Sequence, residues 1–397
     1  MKILLINDYG VPMGGAESML LALREGLQER GHTVRFFASN ARPINLPNQA
    51  DYQCFGTNSR WQTLTMAANP SAYLNLRRAL ASFQPDVVHV KMFLWQLSPL
   101  ILPLLRDVPS IYNIATYKPI CPLGTKLLPN GNPCRVRAGA PCLSNHCLSP
   151  QAWAPLIFEL KLWRRWRSAF DVFVVETDML KSLLLAEDIQ PVEVILPGVP
   201  SRALRPPLAY PPTIAFAGRL VPVKGADVLI RAYAHVVKKI SDARLIMAGE
   251  GEERARLEKL TGDLGLGSRV EMLGHVSTEQ MEKIFDAAWV QAVPSLWAEP
   301  FGFVAAEAMM RGTAVIASDT GGLREIVRDG ETGRLVPPGS VDALADALVE
   351  ILQDRARAER WGRAGREIAL ERYGMAAWVD QLEKIYESLL EKRVQRD

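Results

Sequence analysis

The sequence predicts an α/β protein of two domains, each built on a parallel sheet. Three observations carry this reading. Apolar runs of strand length alternate with amphipathic stretches of helix length along the 397 residues. A chain of that length is more than one core of ordinary size organises. Residues 197–212 hold six prolines and no periodicity, which marks a linker between one series of strands and a second that begins at Thr213.

In the first half, Lys2 to Asn7 reads as a strand. Residues 8–17 form a turn containing Gly14-Gly15, and a helix then runs to Arg30, with Leu20, Leu23 and Leu27 on one face and Gly31 as its stop. Thr33 to Ala38 completes a βαβ unit. The two glycines lack the spacing of a dinucleotide-binding fingerprint, which argues against a dehydrogenase. Asp86–Val90 and Ser110–Ile114 are further strands, separated by a helical run from Leu97 to Leu105. Ligands of open parallel sheets bind beyond the carboxyl ends of strands, so His89 and Lys91 are either ligand contacts or a structural histidine and a solvated lysine.

Cys121, Cys134, Cys142 and Cys147 follow in one Pro- and Gly-rich loop, with gaps of twelve, seven and four residues. These gaps are wider than metal-binding pairs favour, so the loop is either a weak metal candidate or a set of reduced thiols. Residues 153–168 are aromatic and basic, with Trp153, Phe158, Trp163 and Trp166 among Lys161, Arg164, Arg165 and Arg167. Such a helix either lies on an anionic membrane or packs its tryptophans inward. Asp171 to Glu176 ends this half as a strand, with Thr177 as the next helix cap.

The second half repeats the alternation. Strand Thr213–Gly218 leads into Gly218-Arg-Leu-Val-Pro-Val-Lys-Gly225, where Arg219 and Lys224 stand five residues apart between glycines that open the backbone to a diphosphate. Arg244–Ala248 leads into Gly249-Glu-Gly251, and Val270–Leu273 into Gly274-His275-Val276. Val290–Val293 precedes a loop to Glu299, after which Pro300 suits the first turn of a helix to Met310. The N–H groups of Phe301, Gly302 and Phe303 would then face an anion, aided by the helix dipole. Glu299 and Glu307 are placed to hold opposite ends of one extended ligand. The tail from Trp361 to Lys392 reads as helical.

Composition narrows the classes. The chain carries 46 Lys+Arg against 43 Asp+Glu, a net charge of +3 that gives no footprint for nucleic acid. Its N-terminus is a short strand-like run and not a signal peptide, and no window approaches the length of a spanning helix. Five cysteines point to a reducing cytoplasm.

The stretch Glu299-Pro-Phe-Gly-Phe-Val-Ala-Ala-Glu307, with its glutamates separated by seven residues, resembles the signature of the family 4 glycosyltransferases, which are retaining enzymes of GT-B fold. The sequence from Gly312 to Gly339 matches as well. The resemblance is strong from 213 to 340 and extends over nearly the whole chain. It implies two Rossmann-like domains facing across a cleft: residues 1–196 for the acceptor, 197–212 as linker, 213–372 for a nucleotide-sugar, and 373–397 as a helix packing back on the first domain.

It also implies roles. Arg219 and Lys224 would bind the donor diphosphate and offset charge on the leaving group, Glu299 the sugar hydroxyls and Glu307 the ribose. Gly14, Gly15, Gly218, Gly274, His275, Phe301, Gly302 and Phe303 would complete the donor site, with no cofactor and no metal. Where relatives carry a histidine that contacts the donor sugar, the sequence Ile114-Ala-Thr-Tyr-Lys118 has Ala115, and Tyr117, Lys118 or His89 would compensate. The expected partners are a UDP- or GDP-linked sugar and a glycan, lipid-linked or small-molecule acceptor, as in polysaccharide biosynthesis. The expected location is cytoplasmic, with peripheral membrane contact through 153–168. Ala115 motivates the rival reading of a non-catalytic GT-B subunit or sugar-nucleotide-binding module. A sugar-nucleotide epimerase and a phosphorylase-like enzyme are the alternatives within catalysis.

Overall fold

Strand β1, Lys2–Tyr9, is wholly buried from Ile3 to Ile6. A strand covered on both faces is the mark of a parallel sheet sandwiched by helices. In the computed structural model, which describes residues 1–395 apart from 13, 43 and 45, β1 belongs to the first of two compact units. That unit comprises Met1–Gly198 and Met375–Asp397, and the second is Val199–Gly374. Residues 396 and 397, at the end of the predicted tail helix, lie outside the described residues.

In the first unit β1 is followed by β2 Thr33–Ser39, β3 Tyr52–Cys54, β4 Val87–Val90, β5 Ser110–Ile114, β6 Val172–Val175 and β7 Val192–Val194. They pair in the order β3-β2-β1-β4-β5-β6-β7, all parallel, with Leu5 opposite both Phe36 and His89. The helix Gly15–Glu29 buries Leu20, Leu23 and Leu27 on one face, as its periodicity predicts. Full burial of side chains of this size stabilises by roughly 2 kcal/mol each.

The final helix, Met375–Val394, packs against Gly15–Glu29, where the lack of a side chain at Gly26 admits Val379. Arg30 bridges Asp380 and Glu383 of that helix, and Tyr386 Oη meets His89 Nδ1 at 2.6 Å. The return of the C-terminal helix to the first unit is therefore as expected.

Two local expectations need correction. The predicted helix from Trp361 to Lys392 is two helices, Arg355–Arg372 and Met375–Val394, interrupted at Tyr373-Gly374 where the chain passes between units. The run from Leu97 to Leu105 is a 3₁₀ segment, Pro99–Leu105, because Pro99 and Pro103 remove N–H donors an α-helix would use.

The helix Pro150–Trp166 turns its tryptophans inward. Trp163 is fully buried and donates its indole N–H to Pro119 O, and Trp153 donates to Gly139 O. Phe158, Lys161 and Arg165 form its exposed stripe. Among the described residues no helix is long and apolar enough to cross a membrane.

The second unit repeats the plan with β8 Thr213–Ala217, β9 Arg244–Ala248, β10 Val270–Gly274, β11 Ala288–Val293, β12 Ala314–Ser318 and β13 Gly333–Val336. Its order is β10-β9-β8-β11-β12-β13, again all parallel. Residues 199–212 have no helix or strand, yet Leu208 is buried and Arg205 donates to Gly312 O and Glu359. The fold is thus α/β with two Rossmann-like parallel sheets. In the second unit it brings the loops after β8, β11 and β12 side by side.

Candidate donor-binding site

The loop after β8 owes its path to glycines that nothing larger could replace. A side chain at Gly249 would lie 1.8 Å from Gly218 O, and one at Gly251 would lie 2.2 Å from Leu220 O. Leu220 N–H donates to Glu250 O across the same gap. Gly225, at φ +65°, lets Pro294 O approach to 2.0 Å of where its Cβ would be, while Leu296 N–H donates to Val223 O. The loop after β8 is therefore fastened to both the β9 and β11 loops.

Lys224 ends a short 3₁₀ turn, Pro222–Lys224, in this fastened loop. Its ammonium donates to Glu299 Oε1 at 2.7 Å and lies 5.5 Å from the centre of the Trp297 ring. Ser295 Oγ donates to the same Oε1 at 2.6 Å. Burial by itself raises the Glu299 pKa, yet the Lys224 charge and hydrogen bonds from Lys224, Ser295 and Trp297 outweigh it and hold the carboxyl below its ordinary range. Glu299 is thus a buried, ionised carboxylate. Arg219, by contrast, is exposed, with no ion pair among the described residues.

The loop after β12 clamps the backbone of Glu299. Gly322 N–H donates to Glu299 O at 2.8 Å, and a Cβ on Gly321 would fall 2.4 Å from Glu299 N and 2.5 Å from Glu299 O. Gly321 has φ +57°, which only glycine adopts without cost.

The helix after Glu299, at the end of the β11 loop, starts later than predicted. It runs Phe303–Met310 with Gly302 as its N-cap at φ +118°, so Pro300 stays in the loop. Left-handed backbone at Gly302 cannot continue a right-handed helix toward Pro300. Ala305, Ala306 and Ala308 are fully buried where the helix lies on the sheet. Phe301 is buried edge-on to Tyr373, and Phe303 is half-buried. The expected amide donors therefore shift toward the first turn of Phe303–Met310, where N–H groups have no intrahelical acceptor.

Glu307 sits in the second turn of this helix. Burial pushes its carboxyl up, against the opposing charges of Arg311 and Arg202. Arg311 is itself buried and donates to Gln291 Oε1 at 2.7 Å, while Arg202 pairs with Glu282 at 2.7 Å. Gly274, at φ +75°, accepts from Gly249 N–H through its carbonyl, and His275 beside it is exposed.

The remaining sequence candidates lie in the first unit. Gly14 is the extended N-cap of Gly15–Glu29. His89, Tyr117 and Lys118, expected to face a ligand, are instead buried with partners inside the protein. His89 is pushed down to about 3 by burial and by Lys91, so it is neutral, and it meets Tyr386. Lys118 donates to Pro122 O and Glu159, and Tyr117 Oη lies 3.6 Å from Met179 Sδ. Lys91 is buried against Glu176 at 2.6 Å and Asn113 at 2.7 Å. The physical reason is that neighbouring helices and loops close over these strand ends. Ala115 is half-buried.

The four loop cysteines are free thiols, Cys121 buried and Cys134, Cys142 and Cys147 half-buried. Among the described residues no group of three or more His, Cys, Asp or Glu is arranged to hold a metal ion. Lys126 N–H to Cys121 Sγ, Cys134 N–H to Lys126 O, and a cluster of Met66, Leu148 and Leu156 hold the loop instead.

Sequence reasoning missed Ser295, Trp297 and the clamp at Gly321-Gly322. The signal for Ser295 and Trp297 was position alone, within four residues of Glu299. For the clamp it was a paired glycine after a strand.

Comparison with known proteins shows what the two halves of the chain resemble. Residues 206–368 match the family model described as glycosyl transferases group 1, and residues 13–202 match that described as glycosyltransferase family 4. Phosphatidyl-myo-inositol mannosyltransferase of Mycobacterium leprae is 29% identical over 400 residues, 98% of this chain and 97% of that protein. A GDP-mannose-dependent alpha-(1-6)-phosphatidylinositol monomannoside mannosyltransferase of Mycobacterium tuberculosis is 35% identical over 194 residues, 44% of this chain and half of its own length. Sucrose-phosphate synthase from Thermosynechococcus elongatus superposes with a TM-score of 0.76 at 24% identity, covering 98% of this chain and 99% of that one, a likeness of fold.

Proposed function

Because the chain belongs to glycosyltransferase family 4, we propose that it moves a hexose from a nucleotide-diphospho-sugar to a lipid-linked, glycan or small-molecule acceptor with retention at the anomeric carbon. The observation that carries this reading is the joining of three loops around Glu299, which leaves a buried carboxylate held by Lys224 and an exposed, uncommitted Arg219. A donor diphosphate at the start of the helix Phe303–Met310 meets those two cations and the first-turn amides. Charge that develops on the departing nucleotide is stabilised by groups already in place, so little reorganisation is needed at the moment of reaction. The same positive charge does the work that a divalent cation would otherwise do, and the departing phosphate oxygen takes the acceptor proton.

Glu299 then holds sugar hydroxyls, Glu307 the ribose, and backbone near Gly274-His275 the base. GDP-mannose is the donor of first choice, since the Mycobacterium tuberculosis relative is GDP-mannose-dependent. A lipid-linked acceptor is supported by the Mycobacterium leprae relative, together with the exposed Phe158, Lys161 and Arg165, which suit a peripheral site on anionic lipid. A second reading, a sugar-nucleotide-binding module without turnover, is favoured by Ala115 alone.

The test is a screen of UDP-, GDP-, ADP- and dTDP-sugars by thermal shift and by release of free sugar, since a ligand that binds only the folded state raises its stability. Stabilisation by one nucleotide class with slow hydrolysis is expected. Binding without turnover, even with phosphatidylinositol vesicles supplied, favours the binding module. No stabilisation by any of them refutes the donor-site assignment.

A further inference from the structure

We infer that Ser295 is a positioning residue of the donor site, whose hydroxyl locks the Glu299 carboxylate in the one orientation that also holds Lys224 in place. The inference rests on the donor-site reading above and adds to it a residue that neither the signature glutamates nor the two cations reveal.

Ser295 is 1% exposed, so its O–H has no access to water, and its donor is committed to Glu299 Oε1 at 2.6 Å. That oxygen receives the Lys224 ammonium at 2.7 Å as well. One carboxylate oxygen thus joins the loop after β8 to the loop after β11. Lysine carries its charge on a flexible four-carbon stem and supplies no geometry of its own, so whatever fixes the carboxylate fixes the cation.

The Trp297 ring lies beside the ammonium, and Gly321-Gly322 clamp the Glu299 backbone. Lys224 is the charged group whose field acts on the Glu299 carboxylate, and Ser295 and Trp297 are its hydrogen-bonding neighbours. The backbone of Glu299 is therefore set by the glycines, and Ser295 is the short, buried donor that, with Lys224 and Trp297, fixes the rotation of its side chain. Without the hydroxyl the carboxylate loses a charge-assisted bond, the kind worth most among hydrogen bonds. A carboxylate free to turn misplaces both the sugar contact and the diphosphate contact at once.

The test reads the carboxylate directly, independent of any activity. In ligand-free protein with carbon-13-labelled glutamate side chains, the Glu299 signal is assigned by its loss in Glu299→Gln and titrated in wild type, Ser295→Ala and Ser295→Thr. The titration midpoint is expected to move up in Ser295→Ala and back toward wild type in Ser295→Thr, which keeps the hydroxyl. Ser340→Ala removes an unrelated helix-cap hydroxyl of the same unit and should leave the midpoint where it was.

With GDP-mannose or UDP-glucose as donor, whichever the screen selects, kcat/KM for hydrolysis should fall on the order of 10- to 100-fold in Ser295→Ala. Affinity for the bare nucleoside diphosphate should change much less. A midpoint in Ser295→Ala equal to that of wild type overturns the inference, as does a shift that Ser340→Ala reproduces. Failure of wild type to bind any nucleotide-sugar would refute the proposed function while leaving the carboxylate titration to decide the local role of Ser295.

Discussion

Substitution of Gly321 by alanine tests how closely the Glu299 loop must be held. At φ +57° a Cβ has an intrinsic cost of roughly 1 kcal/mol. It would also stand 2.4 Å from Glu299 N, 2.5 Å from Glu299 O and 2.6 Å from Ala298 C. Ordinary contact between such atoms begins near 3.5 Å, so the Glu299 backbone must retreat by about 1 Å. Strain of this kind costs about 1–3 kcal/mol in all, and in a unit of this size each kcal/mol lowers Tm by roughly 2–4 °C.

A displacement of 1 Å in a substrate-positioning group costs on the order of 100-fold in rate. Gly330 supplies the comparison, because it also has positive φ, +76°, yet a Cβ there meets nothing within 4 Å. Gly330→Ala should therefore show the loss in Tm without the loss in kcat/KM. Equal donor hydrolysis by Gly321→Ala and Gly330→Ala would refute the claim that the clamp positions Glu299.

Three further outcomes follow from the same structure. Lys224→Ala should lower kcat/KM for donor hydrolysis by about 100- to 1,000-fold, the range for removing one stabilising donor in a pre-organised site. It should also remove a pH-dependent contribution to stability: the lowered Glu299 pKa stabilises the fold fully above the ordinary glutamate value of 4.5, and this is lost as pH falls through the lower folded value, so urea midpoints of variant and wild type should converge in acid. Asp8 behaves in the opposite sense. Burial lifts its pKa to about 7 against the N–H groups of Trp95, Gln96 and Leu97, so the native state keeps a proton that the unfolded chain releases near 3.8. Stability should therefore fall by up to about 4 kcal/mol between pH 4 and pH 7, and Asp8→Asn should flatten that slope in urea unfolding. Lys91→Met should cost about 3–5 kcal/mol by leaving Glu176 buried without its cation, and Lys91→Met with Glu176→Leu should recover most of that loss in the same assay.

What could be read in advance was whatever depends on local chemistry. The glycines of 218–225 and the pair Glu299 and Glu307 each lie within one short stretch of sequence, and the carboxyl ends of parallel strands dictate where such loops go. The helix after Glu299 was placed too early because Pro300 satisfies a first-turn rule, whereas the positive φ of Gly302 overrides it at a position where a side chain would stand 2.7 Å from Leu323. His89 and Lys118 carried no mark of their burial. Their partners Tyr386 and Glu159 are 297 and 41 residues away, and nothing in the local pattern links them. Trp163 could be read as a membrane anchor or, with the better reason, as a core residue, and its indole N–H meets Pro119 O inside the protein.

The return of Met375–Val394 to the first unit has a consequence for synthesis. The second unit is one unbroken segment, Val199–Gly374, and can complete itself as it leaves the ribosome. The first unit begins earlier and ends later. Until the last helix emerges, Gly26 lacks its neighbour Val379, Arg30 lacks its two acids, and His89 lacks its only hydrogen-bonding neighbour among the described residues. The half of the molecule made first is thus the half that waits longest for its native contacts, and removal of residues beyond Gly374 strikes the opposite end of the sequence from the cut.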